Sequence, residues 1–346
     1  MKTFGQFENK LTSIPLTTSW YLADLGEARG RQELFTKQSP QKLKVLREHA
    51  LIESVISSNR IEGVEIDHKR INAVVLGQSR LRDRDEEEVR GYRDALKLVH
   101  EKGAKLKLDE KTVLKLHYLS RAKTGDAGKY KERDSDIIEK YADGRSRVRF
   151  KTAKAKDTPK ALNELIDAWH SCLKERWIHP LIALTAFNLD FLCIHPFRDG
   201  NGRVSRLLFL LGCYHLGYEV GRYISLERLI EENKERYYEV LELSSQGWHE
   251  GKHNPWALVN FMLYILKQAY TEFEKRAGEV KSPRGSKTEL VMSAIESMDE
   301  EFSLTDLEHK VPSVNRDLVR SVLKKLRKEG IIKPFGRGPN ARWHKK

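Results

Sequence analysis

The spacing of apolar residues along this 346-residue chain predicts a mainly α-helical protein. In several windows the apolar positions recur three or four residues apart, as they do on one face of a helix. Two further windows, 181–194 and 207–216, are almost continuously apolar but too short to cross a bilayer, so they predict buried helices. The amphipathic windows are 41–62, 108–119, 158–169, 230–243 and 256–270.

A short β-hairpin interrupts this helical pattern. Ile137 and Ile138 on one side, and Val148 and Phe150 on the other, flank an Asp-Gly pair that favours a tight turn. An isolated two-stranded hairpin is only marginally stable, so this one needs a protein body or a ligand to lie on. The alternative is a surface hairpin without a role.

A separate basic domain is predicted at residues 287–346, after a linker at 276–286. Three helices followed by two strand-like segments resemble a winged helix-turn-helix, a fold that binds DNA, binds other proteins or forms dimers. The third helix carries an outward basic stripe that would contact DNA, made of Arg316, Arg320, Lys324 and Arg327. The predicted segments are 288–298, 304–309, 314–328, 331–335 and 341–343.

Charge is concentrated at this end of the chain. The formal net charge is +13, and residues 309–346 hold twelve lysines and arginines against two acids, which makes nucleic acid the first partner to consider. The three cysteines lie in apolar surroundings without a CxxC spacing, and the N-terminus lacks the apolar core of a signal peptide. We therefore expect a cytoplasmic protein with free thiols, no zinc site and no membrane partner.

The polar loop between the two buried helices carries features of an anion site. Its sequence is HPFRDGNGRVSR, residues 195–206. Gly200, Asn201 and Gly202 precede the second helix, whose first N–H groups have no intrahelical partner and therefore favour anions. Arg203 and Arg206 share one face of its first turn, where cations are unfavourable unless an anion docks beside them.

Two more side chains of the loop extend this chemistry. Asp199 is a hard oxygen ligand, suited to Mg²⁺ held between a carboxylate and phosphates. His195 is a base that works near neutral pH. The loop therefore predicts a site for a polyphosphate, Mg²⁺ and a proton acceptor. The alternative is a helix end followed by a solvated turn.

The same string resembles the HPFxDGNGRxxR motif of the Fic (filamentation induced by cAMP) family and matches it at every fixed position. Fic proteins mostly transfer AMP from ATP to a Ser, Thr or Tyr hydroxyl of a target protein. The resemblance implies that His195 deprotonates the hydroxyl, that Asp199 holds Mg²⁺, and that residues 200–202 cradle the α-phosphate. Arg203 and Arg206 would bind the β- and γ-phosphates. Doc-type kinases of this family have Lys at the position of Gly202, so Gly202 favours nucleotidyl transfer.

A second match lies at the end of the helix predicted over 41–62. Ser58 and Glu62 lie four residues apart on one face, and Gly63 ends the helix. A carboxylate at this negative end of the helix dipole is unfavourable without a cation. The alternatives are that solvent surrounds the Glu62 carboxylate or that it pairs locally with Arg60. Ser58, Glu62 and Gly63 also resemble the inhibitory helix of Fic proteins, in which the Glu binds the second motif arginine, here Arg206, where the γ-phosphate would bind.

The resemblance assigns two further sets of residues. The hairpin would cover the active site and pair with an extended segment of the target, through Ile137, Ile138, Val148 and Phe150. Tyr237, Tyr238 and Asn233 resemble the segment that lines the nucleotide base. For the tyrosines, packing in the core is the alternative.

The sequence therefore predicts a helical N-terminal region at 1–100, a Fic core at 101–275 and the winged-helix-like domain. The leading hypothesis is a protein adenylyltransferase that uses ATP and Mg²⁺, inhibits itself through Glu62 and modifies itself when released. The alternatives are a DNA-binding regulator whose Fic core senses a nucleotide, and an enzyme that removes AMP. The target protein, the signal that relieves inhibition and the oligomeric state, a homodimer included, stay open.

Overall fold

The computed structural model describes residues 1–9, 11, 13–36, 40–77, 80–122, 125–140, 144–279, 286–336 and 342–345. Most of these residues are helical, which confirms the predicted class. The helices before the hairpin are α1 (Lys2–Asn9), α2 (Leu16–Thr36), α3 (Pro40–Ile61), α4 (Ile71–Val75), α5 (Arg84–Lys102) and α6 (Glu110–Ser120). The hairpin strands are β1 (Ile137–Lys140) and β2 (Ser146–Phe150).

The remaining helices of the larger part of the molecule follow the hairpin: α7 (Thr158–Glu175), α8 (Pro180–Ile194), α9 (Asn201–His215), α10 (Leu226–Glu232), α11 (Lys234–Ser245) and α12 (Trp256–Glu279). The C-terminal elements are α13 (Ser286–Glu296), β3 (Glu301–Ser303), α14 (Leu304–Lys310), α15 (Arg316–Lys328), β4 (Ile332–Phe335) and β5 (Arg342–Lys345).

Helices α8 and α9 form the centre of the larger hydrophobic core. Nearly every side chain of both helices is buried, as their continuous apolar sequences predict. Helix α8 packs against α1, α7, α9, α11 and α12, so its C-terminal end is fixed by many neighbours. The loop at 195–200 is therefore held between two buried helices. Among the described helices, none has the length and apolar character needed to span a membrane.

The C-terminal elements enclose a second, smaller core, in which Val319, Val322 and Leu326 pack beside Phe302. Both predicted strands are present, and β3 joins them in an antiparallel sheet of order β3-β5-β4. Helix α14 begins with a capping box at Ser303. The linker predicted at 276–286 lies mostly outside the described residues, and α12 extends into it.

Two expectations about the helices are wrong. The single helix predicted over 230–243 is two helices, because the amide of Asn233 donates to the carbonyl of Leu229 (2.9 Å) and ends α10. The charge run 82–93, whose composition predicts a solvated helix face, includes two buried carboxylates, Glu86 and Glu88. Glu86 binds Arg70 in an ion pair, and the partners of Glu88 belong to the candidate active site.

Candidate active site

The loop between α8 and α9 has a fixed backbone shape. Its two ends both have a positive φ, +52° at His195 and +82° at Gly200. Asn201 ties the start of α9 to the middle of the loop. Its side chain accepts from the backbone N–H of Phe197 (2.9 Å) and donates to the carbonyl of the same residue (2.8 Å). Phe197 is buried and stacks on His117 with ring centroids 3.7 Å apart. The side chain of Asn201 therefore shapes the loop rather than pointing free into the site.

His195 presents a neutral imidazole to a cavity. Its Nδ1 lies 3.3 Å from the carbonyl oxygen of Leu192, and since a carbonyl only accepts, Nδ1 carries the proton and Nε2 keeps its lone pair. Burial, together with the cation of Lys131, lowers the pKa of His195 to about 4. The residue is therefore in the form that can accept a proton at neutral pH.

The cavity has a volume of about 400 Å³ and joins the loop to the hairpin and α11. It brings together many of the predicted site residues: His195, Gly202, Arg206, Glu62, Tyr237, Tyr238, Ile137, Ile138 and Phe150. Leu189, Leu192 and Leu241 add an apolar wall. A concave, partly apolar site with a few convergent polar groups is the usual form of a ligand site.

Arg206 is held by two of the predicted inhibitory-helix residues. Its guanidinium donates to the Ser58 hydroxyl (2.9 Å), to the Ser58 carbonyl (2.9 Å) and to Glu62 Oε1 (2.8 Å). Gly63 has φ +80° and follows the end of α3, as predicted. Gly202 makes the approach of Glu62 feasible, since a Cβ added there would lie 2.2 Å from Glu62 Oε1.

Arg203 does not line the cavity, because a different carboxylate holds it inside the protein. Glu88 Oε2 lies 2.7 Å from Arg203 Nη1, and Glu88 Oε1 lies 3.1 Å from Arg121 Nη1. We did not predict Glu88 or Arg121 as site residues. For Glu88 the sequence signal was helical spacing, because this residue lies on the same face of α5 as the buried Tyr92, Leu96 and Val99.

Asp199 lies beside this ion-pair network. One carboxylate oxygen is 2.7 Å from Arg121 Nη1, and the other accepts from the backbone N–H of Gly200 (2.6 Å). The Asp199 side chain is 56% exposed, and among the described residues no group of three His, Cys, Asp or Glu side chains could hold a metal alone. One accessible carboxylate fits Mg²⁺, which keeps several waters and takes its remaining ligands from substrate phosphates.

The hairpin forms as predicted and is tied to α11. Ile138 pairs with Val148 in the antiparallel ladder, and these side chains are 55% and 51% exposed. Phe150 stacks on His249, with ring centroids 5.6 Å apart, and Arg147 binds Glu242 (2.9 Å). Two strands have two outer edges, so backbone groups remain where a further strand could add. The turn residues 141–143 lie outside the described residues.

The other predicted residues are spread over three places. Tyr237 is buried in the cavity wall, and the hydroxyl of Tyr238 donates to the carbonyl of Ile61 (3.1 Å). Burial raises the pKa of Tyr238 to about 12, so its hydroxyl stays protonated. Asn233 lines a different cavity, between α2, α11 and α12, and is not brought to this site. Of the basic stripe on α15, Arg316 is ion-paired with Glu308 (2.9 Å).

The segment that carries this loop and the hairpin matches a known family. Residues 107–212 match the model of the Fic/DOC family. The chain contains a Fic domain. Fic domain proteins are generally AMP-transferring enzymes or related nucleotidyl transferases, so the family indicates transferase chemistry.

Solved structures of Fic proteins share the fold. A Fic family protein from Desulfovibrio desulfuricans G20 is 25% identical, with a TM-score of 0.61, over 96% of this chain and 97% of that chain. A Fic domain containing signaling protein from Bacteroides thetaiotaomicron VPI-5482 is 20% identical (TM-score 0.63; 74% and 97% covered). Fic-1 from C. elegans is 20% identical (TM-score 0.56; 77% and 74% covered).

Proposed function

We propose that this Fic domain is a protein adenylyltransferase that Glu62 holds inactive. The observation that carries the proposal is the cavity in which the acceptor nitrogen of His195, the first turn of α9 and the Glu62–Arg206 ion pair meet. A base, a set of helix N-terminal N–H groups and a cation are what transfer of a nucleotidyl group to a hydroxyl requires.

In this reaction a target hydroxyl attacks the α-phosphorus of ATP. The new oxygen–phosphorus bond forms as the bond between the α-phosphorus and the bridging oxygen breaks, and pyrophosphate leaves. His195 Nε2 takes the hydroxyl proton, and the N–H groups at the start of α9 hydrogen-bond the α-phosphate. When bound, Mg²⁺ would neutralise phosphate charge and would be held by Asp199. The anionic phosphates also raise the pKa of His195 and make it a better base.

Glu62 would oppose this reaction by occupying the cation that the γ-phosphate needs. Arg206 makes its three hydrogen bonds to Ser58 and Glu62, so a phosphate must displace the carboxylate to bind the guanidinium. The Glu62 side chain is 30% exposed, so its carboxylate can move into solvent while an incoming phosphate supplies the counter-charge for the buried Arg206. The geometry thus supports inhibition within one chain.

Labelling with ATP tests this proposal. The chain is incubated with labelled ATP and Mg²⁺, and label on the protein itself is measured for wild type, Glu62→Gly and the double variant Glu62→Gly/His195→Ala. We expect label to rise in the first variant and to vanish in the double variant. Glu65→Gly is the matched control, because Glu65 is an exposed carboxylate of the same segment outside the cavity. No gain in Glu62→Gly over this control contradicts the proposal.

Removal of AMP is a second candidate, favoured by the position of Glu62 in the same cavity as His195. A carboxylate there could orient a water molecule toward the phosphorus. AMP-labelled protein made with Glu62→Gly would then lose AMP on addition of unlabelled wild type and keep it on addition of Glu62→Gly. Equal loss with both proteins argues against this reaction.

For the C-terminal unit we propose a winged helix that binds DNA through α15. Arg320, Lys324 and Arg327 are exposed on one side of the helix, whereas Arg316 is engaged by Glu308. We expect Arg320→Glu/Lys324→Glu to weaken duplex DNA binding and to flatten its salt dependence, since fewer counterions are released. Lys325→Glu is the control, because 3.6 residues per turn place Lys325 on another side of α15. Equal weakening in the control argues against groove binding.

A further inference from the structure

Lys131 lies outside the motif, yet its side chain and its main chain bind the carbonyl groups of the residues on either side of His195, Ile194 and Pro196. Its backbone N–H donates to the carbonyl of Pro196 (2.9 Å). Its ammonium donates to the carbonyl of Ile194 (3.2 Å) and to the hydroxyl of Thr152 (2.7 Å). Lys131 is only 4% exposed. Burying a lysine whose hydrogen-bond acceptors are neutral oxygens destabilises the fold, which indicates that Lys131 has a specific role.

His195 has a backbone conformation that needs external support. Its φ of +52° and ψ of +63° lie in the left-handed region, which is unfavourable for a residue with a Cβ. Such conformations persist where the surrounding structure over-determines them. The carbonyl of Ile194 is one of the last carbonyls of α8, which lack intrahelical partners and favour a nearby cation. Lys131 supplies that cation, and its backbone N–H also binds the carbonyl of Pro196, two residues further along the chain.

The same ammonium reaches the base of the hairpin. The hydroxyl of Thr152, which accepts from Lys131, donates in turn to the carbonyl of Ser135 (2.6 Å). Ser135 precedes β1 and Thr152 follows β2, so this pair of bonds closes the hairpin where it leaves the body of the protein. One buried ammonium thus connects the catalytic loop with the element expected to hold the target chain.

We propose that Lys131 is a positioning residue, which fixes the orientation of His195 and aligns it with the hairpin that binds the target. This inference rests on the proposed transferase function. Lys131 does not contact the reacting atoms and acts through its neighbours. Its role is therefore distinct from those of the residues of the 195–206 loop.

Charge provides a way to test this role. The charged groups that act on the imidazole of His195 are Lys131, Glu62 and Asp199, and the same cavity is lined by Arg206, Arg149, Glu139 and Glu242. Burial lowers the pKa of His195 most, and the cation of Lys131 lowers it further. Burial also lowers the pKa of Lys131, to about 8, while Asp134 and Asp136 oppose this change, so the ammonium keeps its charge near pH 7.

The test compares Lys131→Met, Lys131→Arg and the control Lys129→Met, each in the Glu62→Gly variant. Lys129 is exposed, and its ammonium binds the carbonyl of Gly125 instead. The imidazole of His195 is titrated by NMR without nucleotide, and its signals are assigned by their loss in His195→Ala. We expect its pKa to rise in Lys131→Met and to stay unchanged in Lys131→Arg and Lys129→Met.

Kinetics provides the second readout, with auto-labelling measured against pH. The acid limb of the rate should move to higher pH in Lys131→Met, because the imidazole then takes up its proton more readily. The maximal rate should fall roughly tenfold through misplacement of the base. Thr152→Val breaks only the link to the hairpin, so it should lower the labelling rate and leave the pKa of His195 unchanged.

The outcomes separate this inference from the proposed function. An unchanged pKa of His195 in a folded Lys131→Met overturns the positioning role. If Lys131→Met does not fold, the role stands only when Lys131→Arg folds with wild-type titration and Thr152→Val labels more slowly, and it fails otherwise. A shifted pKa in Lys131→Met, with no labelling in any variant, supports the positioning of His195 while it refutes the transferase.

Discussion

Arg203 and Arg206 lie one turn apart on α9, and each binds a glutamate from the N-terminal half of the chain, but the two ion pairs differ in burial. The side chains of Arg203 and Glu88 are 2% and 6% exposed. Those of Arg206 and Glu62 are 3% and 30% exposed. Glu88 lies within α5 and also binds Arg121, whereas Glu62 follows the end of α3 and lines the cavity.

This difference in burial indicates that the two arginine–glutamate ion pairs have different roles. Removing Glu88 would leave two buried guanidinium groups without their shared carboxylate, so that pair holds the structure together. Removing Glu62 frees one guanidinium toward a cavity, where a phosphate can replace the carboxylate. We therefore interpret the Arg203 pair as permanent and the Arg206 pair as releasable.

Glu88→Gln should lower the free energy of unfolding by about 3–5 kcal/mol, because the buried Arg203 loses its close counter-ion, whereas Arg121 keeps Asp199. Glu62→Gln should lower it by less than about 1 kcal/mol, since that pair is partly exposed. Urea denaturation of both variants at pH 7 measures the difference. Similar losses in the two variants would remove the distinction between a permanent and a releasable pair.

Glu62→Gly should bind ATP with Mg²⁺ roughly 10–100-fold more tightly than wild type. Arg206 can then form charge-assisted hydrogen bonds to phosphate, each contributing about 1.5–3 kcal/mol. Isothermal titration calorimetry measures the affinity, with Glu65→Gly as the control. An affinity equal to that of the control would show that the Arg206 pair does not compete with the nucleotide.

Acid should lower the free energy of unfolding through His117, which contacts the backbone of Asp199. His117 donates through Nε2 to the carbonyl of Asp199 (3.0 Å) and accepts at Nδ1 from the N–H of Gly128 (2.9 Å), so it is neutral. Burial lowers its pKa from 6.5 to about 4. The unfolded chain therefore takes up the proton first as the pH falls, and His117 contributes a loss of stability that grows from pH about 6.5 down to about 4, roughly 2 kcal/mol at pH 5.

Denaturation of wild type and His117→Gln at pH 7 and pH 5 checks this prediction. Glutamine can still donate to the Asp199 carbonyl but does not titrate. Stability should fall less between the two pH values in the variant. An equal fall in both proteins would assign the acid sensitivity to other groups.

Ser58→Ala should have the smallest effect on auto-labelling, because it weakens the binding of Arg206 to the inhibitory segment by only about 1 kcal/mol. It removes the hydroxyl that accepts from Arg206 and keeps the backbone carbonyl and Glu62. Arg206 should become slightly easier to release, and auto-labelling should rise a few-fold at most. A rise as large as that of Glu62→Gly would mean that the hydroxyl, and not the carboxylate, restrains the arginine.

Much of the fold was predictable because neighbouring residues decide it. Continuous apolar sequence identified α8 and α9, and Asp109 caps α6 through the N–H of Thr112 (2.8 Å), as its position before that helix predicts. The hairpin also followed from local residue types. The break at Asn233 was not predicted, because helical periodicity continues across it and one side-chain hydrogen bond decides against the continuous helix.

The site was predictable only where its residues are consecutive. The twelve residues of the loop show their chemistry in the sequence, and the resemblance to Fic proteins added Glu62. Glu88 and Lys131 had no such signal. Helical spacing places Glu88 on the inward face of α5 but does not identify its partners, and Lys131 lies 63 positions from Ile194 in the sequence. Asn233 is the opposite case. Its sequence resembles the base-lining segment of Fic proteins, yet its side chain lines a different cavity from that of His195.

By itself, the sequence determined the helices, the hairpin and the chemistry of the 195–206 loop, because backbone propensity and side-chain spacing act over a few residues. The tertiary structure decided which glutamate binds which arginine and how deeply each pair is buried. Burial depends on all the elements that pack around a side chain, and it sets the free energy of removing a charge from water. That free energy, and not the identity of the residues, separates Glu88 from Glu62.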